Sequence, residues 1–132
     1  MQDAKKARIL VVDDEPRIAD ILALIFQRDG YTASAVYNGR DALARIAVDP
    51  PELVIADVVM PGLDGIELAK MIRSAHPDCR ILLFSGNVDT HQLLVAAEQQ
   101  GHAFEVLAKP VPPPTMLAKV AAMLAQEPSE IV

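Results

Sequence analysis

The stretch ILVVDDE at residues 9–15 consists of four apolar residues followed directly by three acids. Apolar runs of the same kind occur at residues 53–56 and 81–84, and none of the three alternates with polar residues. Unbroken runs of this composition are typical of strands covered on both faces, as in a parallel sheet between helices. They therefore predict the central strands of such a sheet, and weaker runs at 31–36 and 104–107 predict strands nearer its edges.

Segments with helical spacing lie between the predicted strands. Ile18, Ile21, Leu22 and Ile25 recur at i, i+3, i+4 and i+7, and Gly30 after them is a typical C-terminal cap. Helical segments also follow each of the other four predicted strands, so that strand and helix alternate five times. This order predicts an α/β domain.

Capping residues predict where the later helices begin and end. Asp64, with Glu67 three residues on, resembles a capping box. Gly101 ends a predicted helix over residues 88–100, and Thr115 is predicted to cap the last helix. The three prolines before Thr115 are interpreted as the start of that helix rather than as an extended docking segment.

Length and composition limit the class of protein. The chain has 132 residues, of which 52% are hydrophobic and 23% charged, as in an ordinary globular domain. The net charge of −6 disfavours binding to nucleic acid or to an anionic membrane surface, which require clustered Lys and Arg. We expect one domain over residues 1–126 and a short tail at 127–132, with no effector domain. The polar start and the single cysteine, Cys79, favour a cytoplasmic protein.

Polar side chains follow the predicted strands at the point where each strand ends. Asp13 and Asp14 follow the first strand, Asp57 the third, Ser85 the fourth and Lys109 the fifth. The carboxyl ends of parallel strands share one edge of the sheet, where ligands bind in folds of this kind. The sequence therefore predicts that these five side chains form one site.

The charges of this site indicate a divalent cation. Two carboxylates about 5 Å apart repel each other by about 3 kcal/mol at an effective dielectric constant near 20. A cation relieves this repulsion, and ligands that are all oxygen favour Mg²⁺, or Mn²⁺ as its substitute. Because protein-bound Mg²⁺ commonly contacts phosphate, Lys109 and Ser85 are interpreted as phosphoryl contacts and Asp57 as the nucleophile.

The motifs around these residues resemble the receiver domain of two-component response regulators over residues 8–125. The resemblance rests on the acidic run at 13–15, the stretch DVVMPGLDG at 57–65, and the pairs Ser85-Gly86 and Lys109-Pro110. It implies a flavodoxin-like (βα)5 fold with five parallel strands in the order 2-1-3-4-5. It also implies a cis peptide bond before the proline.

The resemblance implies a signalling function. Asp57 would accept a phosphoryl group from a histidine of a sensor histidine kinase or a histidine phosphotransfer protein. Lys109 would pair with that group, and Ser85 would move to hydrogen-bond it. The protein would then act as a switch rather than as an enzyme. A downstream protein partner of unknown identity would bind the surface formed by the fourth helix, the fifth strand and the fifth helix.

The resemblance also implies a metal site and contains one departure. Mg²⁺ would be held by Asp13, Asp14, Asp57 and the backbone carbonyl of Val59. Members of the family usually carry Tyr or Phe three residues before the lysine, and here that position is Val106.

Other interpretations of the same residues stay open from the sequence. Asp13 and Asp14 can cap the helix that begins near Pro16, while Asp57 and Ser85 can be turn residues. The protein can instead be a phosphohydrolase with an aspartyl nucleophile. It can also be a constitutive interaction module that has lost phosphorylation.

Two sequence features weigh against these alternative functions. Aspartyl phosphohydrolases usually place a second aspartate two residues after the nucleophile, and Val59 occupies that position. The acidic pair, Asp57 and Lys109 are all present, which disfavours an inert module.

Overall fold

The computed structural model describes residues 7–86 and 88–126, in which five strands alternate with five helices. In chain order the elements are β1 (Arg8–Val12), α1 (Pro16–Arg28), β2 (Thr32–Val36), α2 (Gly39–Val48), β3 (Leu53–Asp57), α3 (Gly65–Ala75), β4 (Arg80–Ser85), α4 (Val88–Gln99), β5 (Glu105–Ala108) and α5 (Pro113–Leu124). The predicted tail at 127–132 lies outside the described residues.

The strands form one parallel sheet in the order β2-β1-β3-β4-β5, which confirms the predicted fold. The three unbroken apolar runs are its central strands, and the two weaker runs are its edges. The fifth strand begins at Glu105 rather than at Phe104, and the second begins at Thr32. Both edge strands are less buried than the central three because each has a neighbour on one side only.

Two apolar cores lie on opposite faces of the sheet. Successive side chains of a strand point to opposite faces, so Leu10 and Val12 of β1 pack into one core with α2, α3 and α4. Ile9 and Val11 of the same strand pack into the other core with α1 and α5. The sheet is therefore covered on both faces, as the unbroken apolar runs predicted.

The helix ends agree with most of the predicted caps. Gly30 has a φ of 100°, which a residue with a side chain rarely adopts. The side chain of Asp64 accepts a hydrogen bond from the backbone N–H of Glu67 at 2.8 Å. The predicted cap at Thr115 is wrong. The helix already begins at Pro113, because proline has the φ that the first helical position needs and lacks an N–H to be satisfied.

Within the described residues, every helix is too short or too polar to cross a lipid bilayer.

Candidate functional site

Three carboxylates meet where the central strands end. Asp13 follows β1 directly, with Asp14 next to it, and Asp57 is the last residue of the neighbouring strand β3. One oxygen from each of the three lies within 4.8 Å of one from each of the others. The convergence predicted from the strand ends is therefore present for these acids.

Asp13 is the most enclosed of the three acids. Its exposed fraction is 3%, and among the described residues it is the one buried charged residue. Burial raises the pKa of its carboxyl above the usual value, and the charges of Asp57 and Asp14 add to that rise. The backbone N–H of Glu15, which donates to Asp13 Oδ1 at 2.9 Å, and the charge of Lys109 oppose it.

Lys109 is the cation of the cluster. Its Nζ donates to Asp57 Oδ2 at 2.6 Å, and the side chain of Asp57 is 13% exposed. The backbone N–H of Lys109 donates to the carbonyl of Ser85 at 2.8 Å, which fixes the end of β5 against the end of β4. The peptide bond between Lys109 and Pro110 is cis. Both the backbone N–H and the ammonium group of Lys109 therefore have hydrogen-bond partners at this end of the sheet.

Ser85 and Val59 lie at the same end of the sheet as the acids. Ser85 is the half-buried last residue of β4, whose Phe84 is paired with Asp57 across the sheet. The N–H of Val59 donates to Asp57 Oδ1 at 3.3 Å, while the side chain of Val59 is 54% exposed. Both residues lie where the sequence predicted them, at the edge of the sheet that holds the acids.

Gly65 is a contributor to the site that the sequence analysis did not single out. Its backbone N–H donates to the carbonyl of Val58 at 2.9 Å. A Cβ atom at this position would lie 2.2 Å from the backbone oxygen of Asp57, so only glycine allows α3 to begin so close to the acceptor. The signal available in the sequence was a glycine directly after the capping Asp64.

The acids are neither a helix cap nor part of a turn, the two alternative interpretations that the sequence left open. The N-cap of α1 is Glu15, and no side chain caps the helix, so Asp13 and Asp14 do not serve as its cap. Asp57 ends a strand and is ion-paired with Lys109 rather than forming part of a free turn.

The donor set fits a hard divalent cation. All three carboxylates supply oxygen, and among the described residues Lys109 is the cation that pairs with the cluster, through Asp57. One positive charge against three negative ones leaves a net negative site, which a divalent cation would neutralise. Asp13, Asp14 and Asp57 are therefore the residues that could hold one.

A family model and the curated relatives of this chain point to the same protein family. A model of the family described as the response regulator receiver domain matches residues 9–121. The DNA-binding response regulator MtrA of Mycolicibacterium smegmatis is 30% identical over 133 residues, and the match covers 98% of this chain and 57% of MtrA. The nitrogen assimilation regulatory protein NtrX of Azorhizobium caulinodans is 39% identical over 106 residues, covering 77% of this chain and 22% of NtrX. This chain thus spans a little over half the length of MtrA.

Solved structures agree with the fold. The receiver domain of NtrX from Brucella abortus superimposes with a TM-score of 0.79 at 30% identity, covering 90% of this chain and 99% of that chain. The chemotaxis protein CheY4 of Vibrio cholerae superimposes with a TM-score of 0.78 at 28% identity, covering 89% of this chain and 98% of that chain.

Proposed function

Since this chain belongs to the family of response regulator receiver domains, we propose that it is a phosphorylation-dependent switch whose acceptor is Asp57. The observation that carries the proposal is the ion pair of 2.6 Å between Lys109 Nζ and Asp57 Oδ2, within a cluster of two further carboxylates. A lone carboxylate at a turn would need neither the lysine nor the other acids.

The proposed reaction transfers a phosphoryl group from a phosphohistidine of a sensor histidine kinase or a histidine phosphotransfer protein. A carboxylate oxygen of Asp57 forms a bond to phosphorus while the phosphorus–nitrogen bond to the imidazole breaks. The electron pair of that bond stays on the imidazole nitrogen, which then takes up a proton. The product is an aspartyl phosphate on this chain and a free histidine on the donor.

The residues around Asp57 support this chemistry. The ammonium group of Lys109 already contacts the Asp57 carboxylate. It is therefore close enough to pair with the negative phosphoryl oxygens that arrive on Asp57. The N–H of Val59 orients the other carboxylate oxygen. The hydroxyl group of Ser85 is a candidate hydrogen-bond donor to the phosphoryl group, and its movement would report phosphorylation to the end of β4.

Mg²⁺, or Mn²⁺ in its place, is the proposed cofactor. Asp13, Asp14 and Asp57 would hold it, with the backbone carbonyl of Val59 as a further ligand. When bound, such an ion supplies positive charge to neutralise the oxygens of the transferring phosphoryl group. The chain's own acids then fix the position of that charge next to the acceptor.

The proposed output is protein binding rather than turnover of a substrate. We expect a downstream protein to bind the surface formed by α4, β5 and α5 in a manner that depends on phosphorylation. We do not expect nucleic-acid binding by this domain, because the chain carries a net charge of −6. A phosphohydrolase role is disfavoured because the apolar, exposed Val59 stands where a general acid would be needed.

A mass measurement tests the proposal. The intact protein is incubated with Mg²⁺ and a small phosphodonor such as acetyl phosphate, beside Asp57→Asn and the matched surface variant Asp78→Asn. We expect the wild type and Asp78→Asn to gain one phosphoryl group, and Asp57→Asn and the wild type in EDTA to gain none. Equal phosphorylation of the wild type and Asp57→Asn would rule the mechanism out.

A further inference from the structure

A groove of about 530 Å³ separates α4 from β5. The wall formed by α4 consists of His91, Leu94, Val95 and Glu98, which share one helix face at i, i+3, i+4 and i+7. The wall formed by β5 consists of alternate residues on one face of the strand and its approach, namely Phe104, Val106 and Ala108. The groove is apolar in its middle and polar at its ends.

The groove is open because neither wall fills it. Over the part of α4 whose side chains the structure describes, residues 91–99, Ala97 alone is buried. Leu94 and Val106, one from each wall, both line the groove and are both half-buried. An apolar surface of this kind, rimmed by polar residues, is typical of a site where a partner binds.

One end of the groove is the phosphoryl site itself. Ser85 and Lys109 line the groove, and Lys109 also pairs with Asp57. An occupant would therefore touch the two residues that are expected to rearrange on phosphorylation. Binding in the groove and phosphorylation of Asp57 would then be linked, each changing the equilibrium of the other by the same factor.

The charges of the groove indicate what the occupant carries. The cation at the inner end, Lys109, is already paired with Asp57. Glu98 at the outer end is exposed and makes no ion pair with any residue in the described parts of the chain. The eight residues from His91 to Glu98 give the groove a length of about 10 Å, the size of one large side chain and its neighbour.

We propose that this groove receives an aromatic side chain of the downstream protein, and that an adjacent Lys or Arg of that protein pairs with Glu98. The proposal rests on the proposed function for the existence of such a protein. The aromatic ring lies between Leu94 and Val95 on one side and Val106 on the other. The side chain of the partner thereby fills the space that the two walls leave open.

Two blocked dipeptides serve as probes, N-acetyl-Trp-Lys-amide and N-acetyl-Trp-Glu-amide, titrated at low salt into the full chain and followed by NMR. We expect saturable shifts at the lining residues of α4 and β5. Since an exposed ion pair is weak, we expect the lysine peptide to bind about threefold to tenfold tighter than the glutamate peptide. Glu98→Gln should reduce that preference to below twofold.

Variants of the apolar walls test the position of the ring. Val106→Phe fills the groove from inside and should weaken binding of the lysine peptide at least fivefold. Leu93→Ala removes an exposed leucine of the same helix that does not line the groove, and it should leave binding unchanged. Shifts that map elsewhere, equal binding of the two peptides, or unchanged binding to a folded Val106→Phe would overturn the proposal.

The phosphorylation variant separates this proposal from the proposed function. Asp57→Asn cannot accept a phosphoryl group, yet it keeps the groove and should bind the lysine peptide. In the wild type, phosphorylation should change the affinity for that peptide at least threefold. Loss of peptide binding with normal phosphorylation contradicts the groove alone, whereas absent phosphorylation with intact peptide binding contradicts the proposed function alone.

Discussion

Replacement of Asp13 by asparagine is expected to stabilise the metal-free protein at neutral pH. The Asp13 carboxylate is buried and lies within 4.8 Å of oxygens of Asp14 and Asp57. Asparagine has the same shape and keeps an oxygen that can accept the hydrogen bond from Glu15. The substitution therefore removes a buried negative charge without opening a cavity.

The size of the gain follows from the geometry of the cluster. Two unit charges 4.8 Å apart interact by about 3.5 kcal/mol at an effective dielectric constant of 20. Asp14 is exposed, which weakens its repulsion, and Lys109 offsets much of the charge of Asp57. We therefore expect the free energy of unfolding to rise by about 1–2 kcal/mol, or Tm to rise by about 4–8 °C for a chain of this length.

The pH dependence of this gain has a defined sign. Burial raises the pKa of the Asp13 carboxyl in the folded state above its ordinary value of 3.8. At a pH between 3.8 and the pKa of Asp13 in the folded state, the folded protein binds more protons than the unfolded chain. The free energy of unfolding therefore falls as the pH rises through this range, and the fall is complete above the pKa of the folded state. The difference in Tm between variant and wild type should therefore shrink as the pH is lowered from 8 toward 4.

Thermal unfolding in EDTA and in Mg²⁺ provides the assay. Mg²⁺ at ten times its Kd should stabilise the wild type by about 1.4 kcal/mol and should have little effect on Asp13→Asn. Asp78→Asn, an exposed acid at the opposite edge of the sheet, is the matched control and should change neither Tm nor the response to Mg²⁺. The reasoning is refuted if Asp13→Asn lowers Tm in EDTA, or if Mg²⁺ stabilises both proteins equally.

Three further predictions follow from other contacts. Lys109→Met removes the cation at 2.6 Å from Asp57 and should slow phosphoryl uptake roughly 100-fold, as measured by intact mass over time. Gly65→Ala places a Cβ atom 2.2 Å from the Asp57 carbonyl oxygen, which should lower the free energy of unfolding in urea by about 1–3 kcal/mol. Burial raises the pKa of the Cys79 thiol to about 12, so alkylation by iodoacetamide at pH 8, followed by mass, should be far slower in the folded protein than in urea.

The sheet was predictable because its central strands are apolar without interruption. Runs such as residues 9–12 and 53–56 are buried on both faces in the structure, as their composition requires. The edge strands were predicted less well, and β5 begins at Glu105 rather than Phe104, because a half-covered strand has no sharp apolar boundary. The cap predicted at Thr115 failed because consecutive prolines allow a helix to begin at more than one of them.

The candidate site was predictable as a set of residues, but its internal contacts were not. Strand ends brought Asp13 and Asp57 to one edge of the sheet, since neighbouring parallel strands end together. The ion pair of Lys109, the burial of Asp13 and the close approach of Gly65 depend on how loops and helices pack over that edge. No local spacing in the sequence carries that information.

Mapping the phosphoryl group to a residue tests the central claim most directly. After treatment with a phosphodonor and Mg²⁺, the protein is reduced with borohydride, which converts an acyl phosphate to the corresponding alcohol, and its peptides are sequenced by tandem mass spectrometry. We predict conversion of Asp57 to homoserine in phosphorylated protein and none in protein treated in EDTA. Conversion at Asp13 or Asp14 instead, or at no residue, would contradict the assignment of Asp57 as the phosphoryl acceptor.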